Sequence, residues 1–194
     1  GSGFYGAVLA ERIASEYDLP VTVLERRKHP GGNCWSETDP ESGVECHKYG
    51  SHIFHTSDEE VWKYVNRFSG FNSYRHTVLT VFRGEVFPFP VNLSTINQYF
   101  RRAMSPDEAR DFVRCLSAEA NIAFPSNLEE KAVSQIGREL YEAFFRGYTK
   151  KQWEKDPKEL SPDIITRLPV RYNYDHRYFS DRYEGIPLSG YGRL

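Results

Sequence analysis

The chain has 194 residues, enough for one large domain or one and a half ordinary ones with a sizeable core. Its 25 basic and 27 acidic residues leave a net charge of −2, so no global positive field favours nucleic acid, and no apolar run suggests a membrane span. Cys34, Cys46 and Cys115 are odd in number and unpatterned, which fits reduced cytoplasmic thiols better than a secreted disulfide framework.

The first six residues, Gly1-Ser2-Gly3-Phe4-Tyr5-Gly6, fit G-x-G-x-x-G and run into the helix-forming stretch Ala7 to Ala14. A strand-to-helix turn this tight needs residues without Cβ, so that the backbone can take positive φ and approach a bound pyrophosphate. The helix N-terminus then offers free N–H groups and the positive end of its dipole. A dinucleotide fold needs a strand before that turn and none precedes Gly1, so a fragment lacking its first strand is expected; the far end, Tyr191 to Leu194, likewise closes no identifiable unit.

Val21 to Leu24 reads as a second, buried strand ending in the acid Glu25. Glu25 lies 19 positions past Gly6, close to the spacing of about 20 at which an acid meets an adenosine ribose. A 2′-phosphate would be repelled there, which favours NAD or FAD over NADP. The following Arg26-Arg27-Lys28-His29-Pro30-Gly31-Gly32-Asn33 resembles flavin-binding proteins of the amine oxidase type, whose second glycine loop passes close to the cofactor. Taken without the first motif, Pro30-Gly31-Gly32 is a surface turn.

Asp39-Pro40-Glu41-Ser42-Gly43 is a turn. Beyond it, Cys46, His47, His52 and His55 lack C-x-x-C or H-E-x-x-H spacing, so no metal site is expected. Two roles stay open for the loop at His52: approach to a cofactor, or a core histidine satisfied by a neighbouring carbonyl. Ser57-Asp58-Glu59-Glu60 is a capping box with Ser57 at the N-cap, and Val61, Val65 and Phe68 share the face of a structural helix. The stretches 74–82 and 85–90 form a hairpin about Arg83-Gly84, whose prolines mark an edge.

From Asn92 to about Thr166 helix follows helix. Ser105-Pro106-Asp107-Glu108 caps one, with Ala109, Phe112, Val113 and Leu116 on its stripe. Ser126-Asn127-Leu128-Glu129 caps another, striped by Leu128, Ala132 and Ile136, and Ser161-Pro162-Asp163 opens a short helix that Pro169 must end. Between Leu140 and Trp153, Tyr141, Phe144, Phe145, Tyr148 and Trp153 are interrupted by Arg146, Gly147, Thr149, Lys150, Lys151 and Gln152. Either one side faces a ligand, or the rings are ordinary core beside a solvated lysine pair.

The last stretch interleaves Tyr172, Tyr174, Tyr178, Tyr183 and Tyr191 with Arg167, Arg171, Arg177, Arg182 and Arg193. Rings that stack on a base or sugar and guanidiniums that grip phosphate are what a nucleotide-sugar pocket requires. A single-stranded nucleic-acid surface uses the same residue types, but the acidic balance and the flavin-like front end count against it.

Gly147 to Trp153, Asp156-Pro157-Lys158-Glu159-Leu160, Arg167-Leu168-Pro169-Val170-Arg171 and Tyr178-Phe179-Ser180-Asp181-Arg182-Tyr183 closely resemble the UDP-galactopyranose mutases of bacterial type. The likeness spans essentially the whole chain and corresponds to the N-terminal half of that family. It implies an α/β fold: a Rossmann-like FAD-binding fold, incomplete and missing its first strand, with an inserted helical domain and part of an antiparallel β-sheet substrate domain. Residues 1–73 would be the partial FAD-binding domain, 74–91 a hairpin of the substrate sheet, 92–166 the helical insertion, and 167–194 the mobile loop and the start of the substrate sheet.

The same resemblance implies a cytoplasmic isomerase of cell-wall polysaccharide biosynthesis. It would interconvert UDP-galactopyranose and UDP-galactofuranose with reduced FAD and no net redox change, through a covalent adduct of flavin N5 with the anomeric carbon. It implies no metal and no nucleic-acid partner, and leaves room for a homodimer. Carried over position by position, Gly1, Gly3, Phe4, Gly6, Glu25, Arg26, Arg27, Gly32, Asn33, Gly50, His52 and Ile53 would line FAD. Trp153 would stack on or beside the uracil, with Phe144, Phe145, Tyr148 and Thr149 shaping the uridine site. Arg167 stands at the mobile-loop arginine that swings in to the diphosphate, Tyr178 would touch the phosphates, and Arg167 and His52 are the candidate catalytic residues. Ser51 stands where the family has proline.

A second diphosphate-binding arginine and the residues that close the flavin pocket are expected in a C-terminal half, so that this stretch by itself would be inactive and hold FAD weakly. Two other functions compete. An amine oxidase-like or desaturase-like FAD oxidoreductase would share the first 33 residues but has no use for Gly147 to Trp153. A non-enzymatic nucleotide-sugar binding module would keep the aromatic and arginine residues and lack flavin.

Overall fold

The computed structural model describes residues 1–167 and 170–194, the side chains of 166 and 167 excepted. It divides into two compact units, 1–76 with 179–194, and 77–178.

In the first unit, helix α1 (Phe4–Tyr17) springs directly from the glycine turn. Its N-cap, Gly3, is extended and makes no side-chain cap, and no acid lies in the first turn, so the unpaired N–H groups there are open to a ligand. Strands β1 (Ser36–Thr38) and β2 (Glu45–His47) form an antiparallel hairpin with Ser36 opposite His47. Its turn is the expected one: the Asp39 carboxylate accepts from the Ser42 N–H at 2.8 Å and hydroxyl at 2.6 Å. Strand β3 (Phe54–Thr56) pairs with β6 (Tyr183–Gly185), also antiparallel.

The segment Phe179–Tyr183 acts as a clasp on β3. Asp181 accepts from the Ser57 hydroxyl and meets His55 Nδ1, both at 2.7 Å. The His55 ring stacks on Phe179 with 3.7 Å between centroids, and Tyr183 lies nearly parallel to Trp62 at 5.1 Å. This clasp explains why the expected N-cap moves. Ser57 spends its hydroxyl on Asp181, and α2 (Glu59–Val65) is instead capped by Asp58, which accepts from the N–H groups of Glu60 and Val61. Only Val65 of the expected stripe is buried; Val61 and Phe68 are 42% exposed.

Residues 21–24 do not form the buried strand their composition suggests. They join no ladder, and Leu24 is 80% exposed. Apolar β-branched residues make a strand only beside a partner that takes up their N–H and C=O groups. Among the described residues the strands pair in three two-stranded antiparallel sheets, none of which includes this segment.

The second unit follows its sequence signals more closely. Strands β4 (Val78–Phe82) and β5 (Glu85–Phe89) form the expected hairpin, turned at Arg83 (φ 50°) and Gly84 (φ 81°) in the primed-turn conformation that matches strand twist. Helix α3 (Leu93–Phe100) starts at a capping box in which Asn92 accepts from the Thr95 N–H, while the Thr95 hydroxyl donates to the Pro88 carbonyl at 2.7 Å. Both residues are fully buried, and these bonds satisfy them.

Helix α4 (Pro106–Ala118) carries the Ser105–Glu108 capping box, and α5 (Leu128–Leu140) is capped by Asn127. Each cap contributes about 1 kcal/mol. A π-helical turn (Tyr141–Phe145), helix α6 (Arg146–Trp153) and short 3₁₀ turns at Pro157–Glu159 and Pro162–Arg167 complete the unit. The apolar stripes converge on one core that includes Phe87, Phe89, Leu93, Ile96, Val113, Leu128, Leu140 and Tyr141.

Candidate functional sites on the two units

The glycine turn is held from below by the second glycine loop. The Gly31 N–H donates to the Ser2 carbonyl at 2.8 Å, and a Cβ on Gly32 (φ 58°) would come within 3.0 Å of the Gly3 Cα. Such an approach of two backbones leaves a shallow cradle at the start of α1. Glu25 fastens it: one carboxylate oxygen accepts from the Ser2 N–H at 2.7 Å and hydroxyl at 2.8 Å, the other from the Arg27 N–H at 2.9 Å. The second of these oxygens keeps a lone pair for a ribose hydroxyl.

The Arg27 and Ser2 N–H groups hold the Glu25 carboxyl down at about 2, so it is ionised at neutral pH. Because the folded value is depressed, its contribution is complete above the ordinary value of 4.5 and lost as the pH falls toward 2. Glu25→Ala is expected to loosen the turn and weaken binding of an adenine dinucleotide about tenfold, measured by fluorescence titration; unchanged affinity would leave Glu25 a bystander.

The cradle also has a cation with capacity to spare. Arg27 lies over the Tyr49 ring at 4.5 Å and donates through one nitrogen to Asn33 at 2.7 Å. Its Nη1 is buried and has no hydrogen-bond partner among the described residues. A buried guanidinium nitrogen left over beside a glycine cradle fits a phosphate-bearing cofactor.

The expected cofactor residues are not all at one cavity. Phe4 lines a cavity of about 380 Å³ with Ala7, Val8, Gly31 and Cys34, whereas His52 and Ile53 line another of about 410 Å³ with His47, Tyr74 and His76. Tyr191 joins them. Its ring meets Phe4 edge-on at 5.9 Å and His47 at 5.5 Å, its N–H donates to the Ser36 hydroxyl at 2.7 Å, and burial raises its phenol. Sequence reading placed Tyr183 and Tyr191 among nucleotide-sugar rings; the structure puts both inside the first unit. His47 and Tyr49 are not marked as cofactor-site residues by the sequence, because what marks them is a contact rather than a motif.

On the second unit the aromatic stretch divides. Phe144 and Phe145, expected at the uridine site, are 3% and 1% exposed and pack on Phe87 and Phe89. Both belong to the core of the second unit. Thr149 is buried, while Tyr148 and Trp153 are 42% and 47% exposed. Trp153 stands one helical turn beyond Thr149, on the same side. Tyr148 packs on Phe89 and is pushed up by burial and by the hydrogen-bonded Tyr178 phenol, so Tyr148 and Tyr178 do meet.

Arg171 and Arg177 are committed to the loop itself. Arg171 donates to the carbonyls of Arg177 and Tyr178, and Arg177 forms a forked pair with Asp175, whose carboxyl it holds at about 2. The Arg167 side chain lies outside the described residues, as do Leu168 and Pro169. Among the described residues no three side chains gather as a metal site, and no helix is long and apolar enough to cross a membrane.

A family model described as NAD(P)-binding Rossmann-like domain matches residues 1–68, and one described as UDP-galactopyranose mutase matches residues 143–194. A probable UDP-galactopyranose mutase of Klebsiella pneumoniae is 46% identical over 194 residues, 100% of this chain and 50% of that protein. By sequence, this chain is similar to UDP-galactopyranose mutases. The dTDP-fucopyranose mutase of Escherichia coli is 44% identical over the same 194 residues, 51% of its length. A crystal structure of reduced UDP-galactopyranose mutase shares the fold, with a TM-score of 0.65 at 22% identity over 89% of this chain and 36% of that one. The chain thus spans about half the length of the curated relatives it matches. Residues 21–24 fall inside the stretch that matches the Rossmann-like model, although they join none of the described sheets.

Proposed function

We propose that the protein is a flavin-dependent nucleotide-sugar mutase that interconverts UDP-galactopyranose and UDP-galactofuranose. What carries this is the glycine cradle with its buried, unpartnered Arg27 nitrogen, in a chain 46% identical throughout to a probable UDP-galactopyranose mutase. FAD is the proposed cofactor, and when reduced it supplies a nucleophile for the anomeric carbon.

The chain's own residues bind and orient. The first-turn N–H groups of α1 and Arg27 take the cofactor diphosphate, Glu25 takes ribose hydroxyls, and the His52 loop lies against the flavin. Trp153 and Tyr148 offer rings to the base, and Tyr178 and Arg167 serve the substrate diphosphate. A cytoplasmic location belongs to the same proposal, in keeping with three unpaired cysteines.

A second substrate is favoured by one observation, the 44% identity to the dTDP-fucopyranose mutase. The ring interconversion is the same, but the base carries a methyl and the sugar lacks its 6-hydroxyl. The test is to reduce the intact protein with dithionite, supply UDP-galactofuranose or dTDP-fucopyranose, and resolve products by chromatography. Turnover of the first supports the proposal, turnover of only the second reassigns the substrate, and oxygen consumption without isomerisation indicates an oxidoreductase.

Two substitutions probe the second unit. Trp153→Ala removes a stacking platform and should weaken nucleotide binding about tenfold, since stacking on a base is worth about 1–3 kcal/mol. Arg167→Ala should lose most turnover while the FAD content, read from visible absorbance, stays normal. Unchanged kinetics would remove that residue from the site.

A further inference from the structure

We propose that His47 is a positioning residue: its unprotonated Nδ1 accepts the His52 N–H at 2.9 Å and fixes the turn that presents the His52 ring. The inference rests on the reading that His52 lies against FAD.

Everything around His47 is anchored. It ends strand β2 opposite Ser36, whose hydroxyl accepts from the Tyr191 N–H, and the Tyr191 ring stands edge-on to His47 at an interplanar angle of 89°. Three residues on, Gly50 turns the chain at φ 100°, and His52 Nδ1 lies 2.8 Å from the Gly50 carbonyl. A carbonyl can only accept, so in the neutral ring that nitrogen carries the proton and Nε2 is left as an acceptor. By the same logic a backbone N–H can only donate, so the His47 ring must be unprotonated at Nδ1.

Protonating His47 would set two hydrogens against each other and release the turn. Burial, and then the neighbouring His52, hold His47 below its ordinary 6.5, while Glu45 on its own strand pulls the other way. Cys46, Tyr74 and His76 line the same cavity, and Tyr191 faces the ring. Because the folded value is lowered, the turn is closed at neutral pH and loses stability as the pH falls below 6.5.

The test uses the intact FAD-loaded protein and two variants. His47→Phe keeps a ring against Tyr191 and removes the acceptor; His47→Asn places Oδ1 where Nδ1 was and cannot titrate. FAD affinity and flavin absorbance are followed from about pH 8 to about pH 5.5, the range in which histidine changes charge. Expected are about fivefold to tenfold weaker FAD binding in His47→Phe, parental affinity at pH 8 in His47→Asn, and loss of the parental pH response in both. His47→Asn that still responds to pH as the parent does, or His47→Phe that binds as tightly as the parent, overturns the proposal. A parent protein that takes up no flavin defeats the FAD reading instead.

Discussion

Gly137→Ala is expected to destabilise the second unit by about 3 kcal/mol and to lower its melting temperature by about 10 °C. Gly137 sits at φ 78° and ψ 162° inside α5, a conformation essentially confined to glycine. A Cβ there would lie 2.7 Å from the Leu116 Cβ and 3.0 Å from its carbonyl, so α4 would have to move as well. Two independent causes, backbone strain and overpacking, act together. The kink also sets the direction in which the π-helical turn and α6 leave, and with them Tyr148 and Trp153. Thermal unfolding followed by circular dichroism checks the value. A variant melting with the parent would mean that the kink relaxes freely into continuous helix.

Gly6→Ala is expected to cost about tenfold to a hundredfold in FAD affinity, with less effect on the melting of the second unit. The new Cβ would overlap the Gly1 carbonyl oxygen, and relief requires the turn to open. Opening pulls Ser2 from Glu25 and from the Gly31 N–H, the contacts that shape the cradle. Strain of about 1–3 kcal/mol at one residue corresponds to that range of affinity. Equilibrium titration of the intact apoprotein with FAD gives the number. Parental affinity would show that the cofactor does not depend on this turn.

Where local chemistry decides, the sequence is readable. The Asp39–Gly43 turn, the Arg83-Gly84 hairpin, the Ser105 capping box and the Leu128, Ala132 and Ile136 stripe stand where residue type and period put them. The two turns and the cap are satisfied by neighbours within a few residues, and the stripe follows the helical period. Ser57 and Asp58 show the limit. Both can cap α2, and the choice falls to Asp58 because Ser57 finds Asp181, 124 residues away.

The candidate site divides in the same way. Residue order alone marked the glycine turn, the acid at 25 and the aromatic run before 153, since a tight turn, an anion and a large ring each advertise their chemistry locally. Only the folded chain could sink Phe144 and Phe145 while leaving Trp153 exposed, seat Tyr191 beside Phe4, leave residues 21–24 without a partner strand, and join His47 to His52. Burial and hydrogen-bond partnership are properties of what lies opposite a residue, and what lies opposite is fixed by contacts between distant parts of the chain.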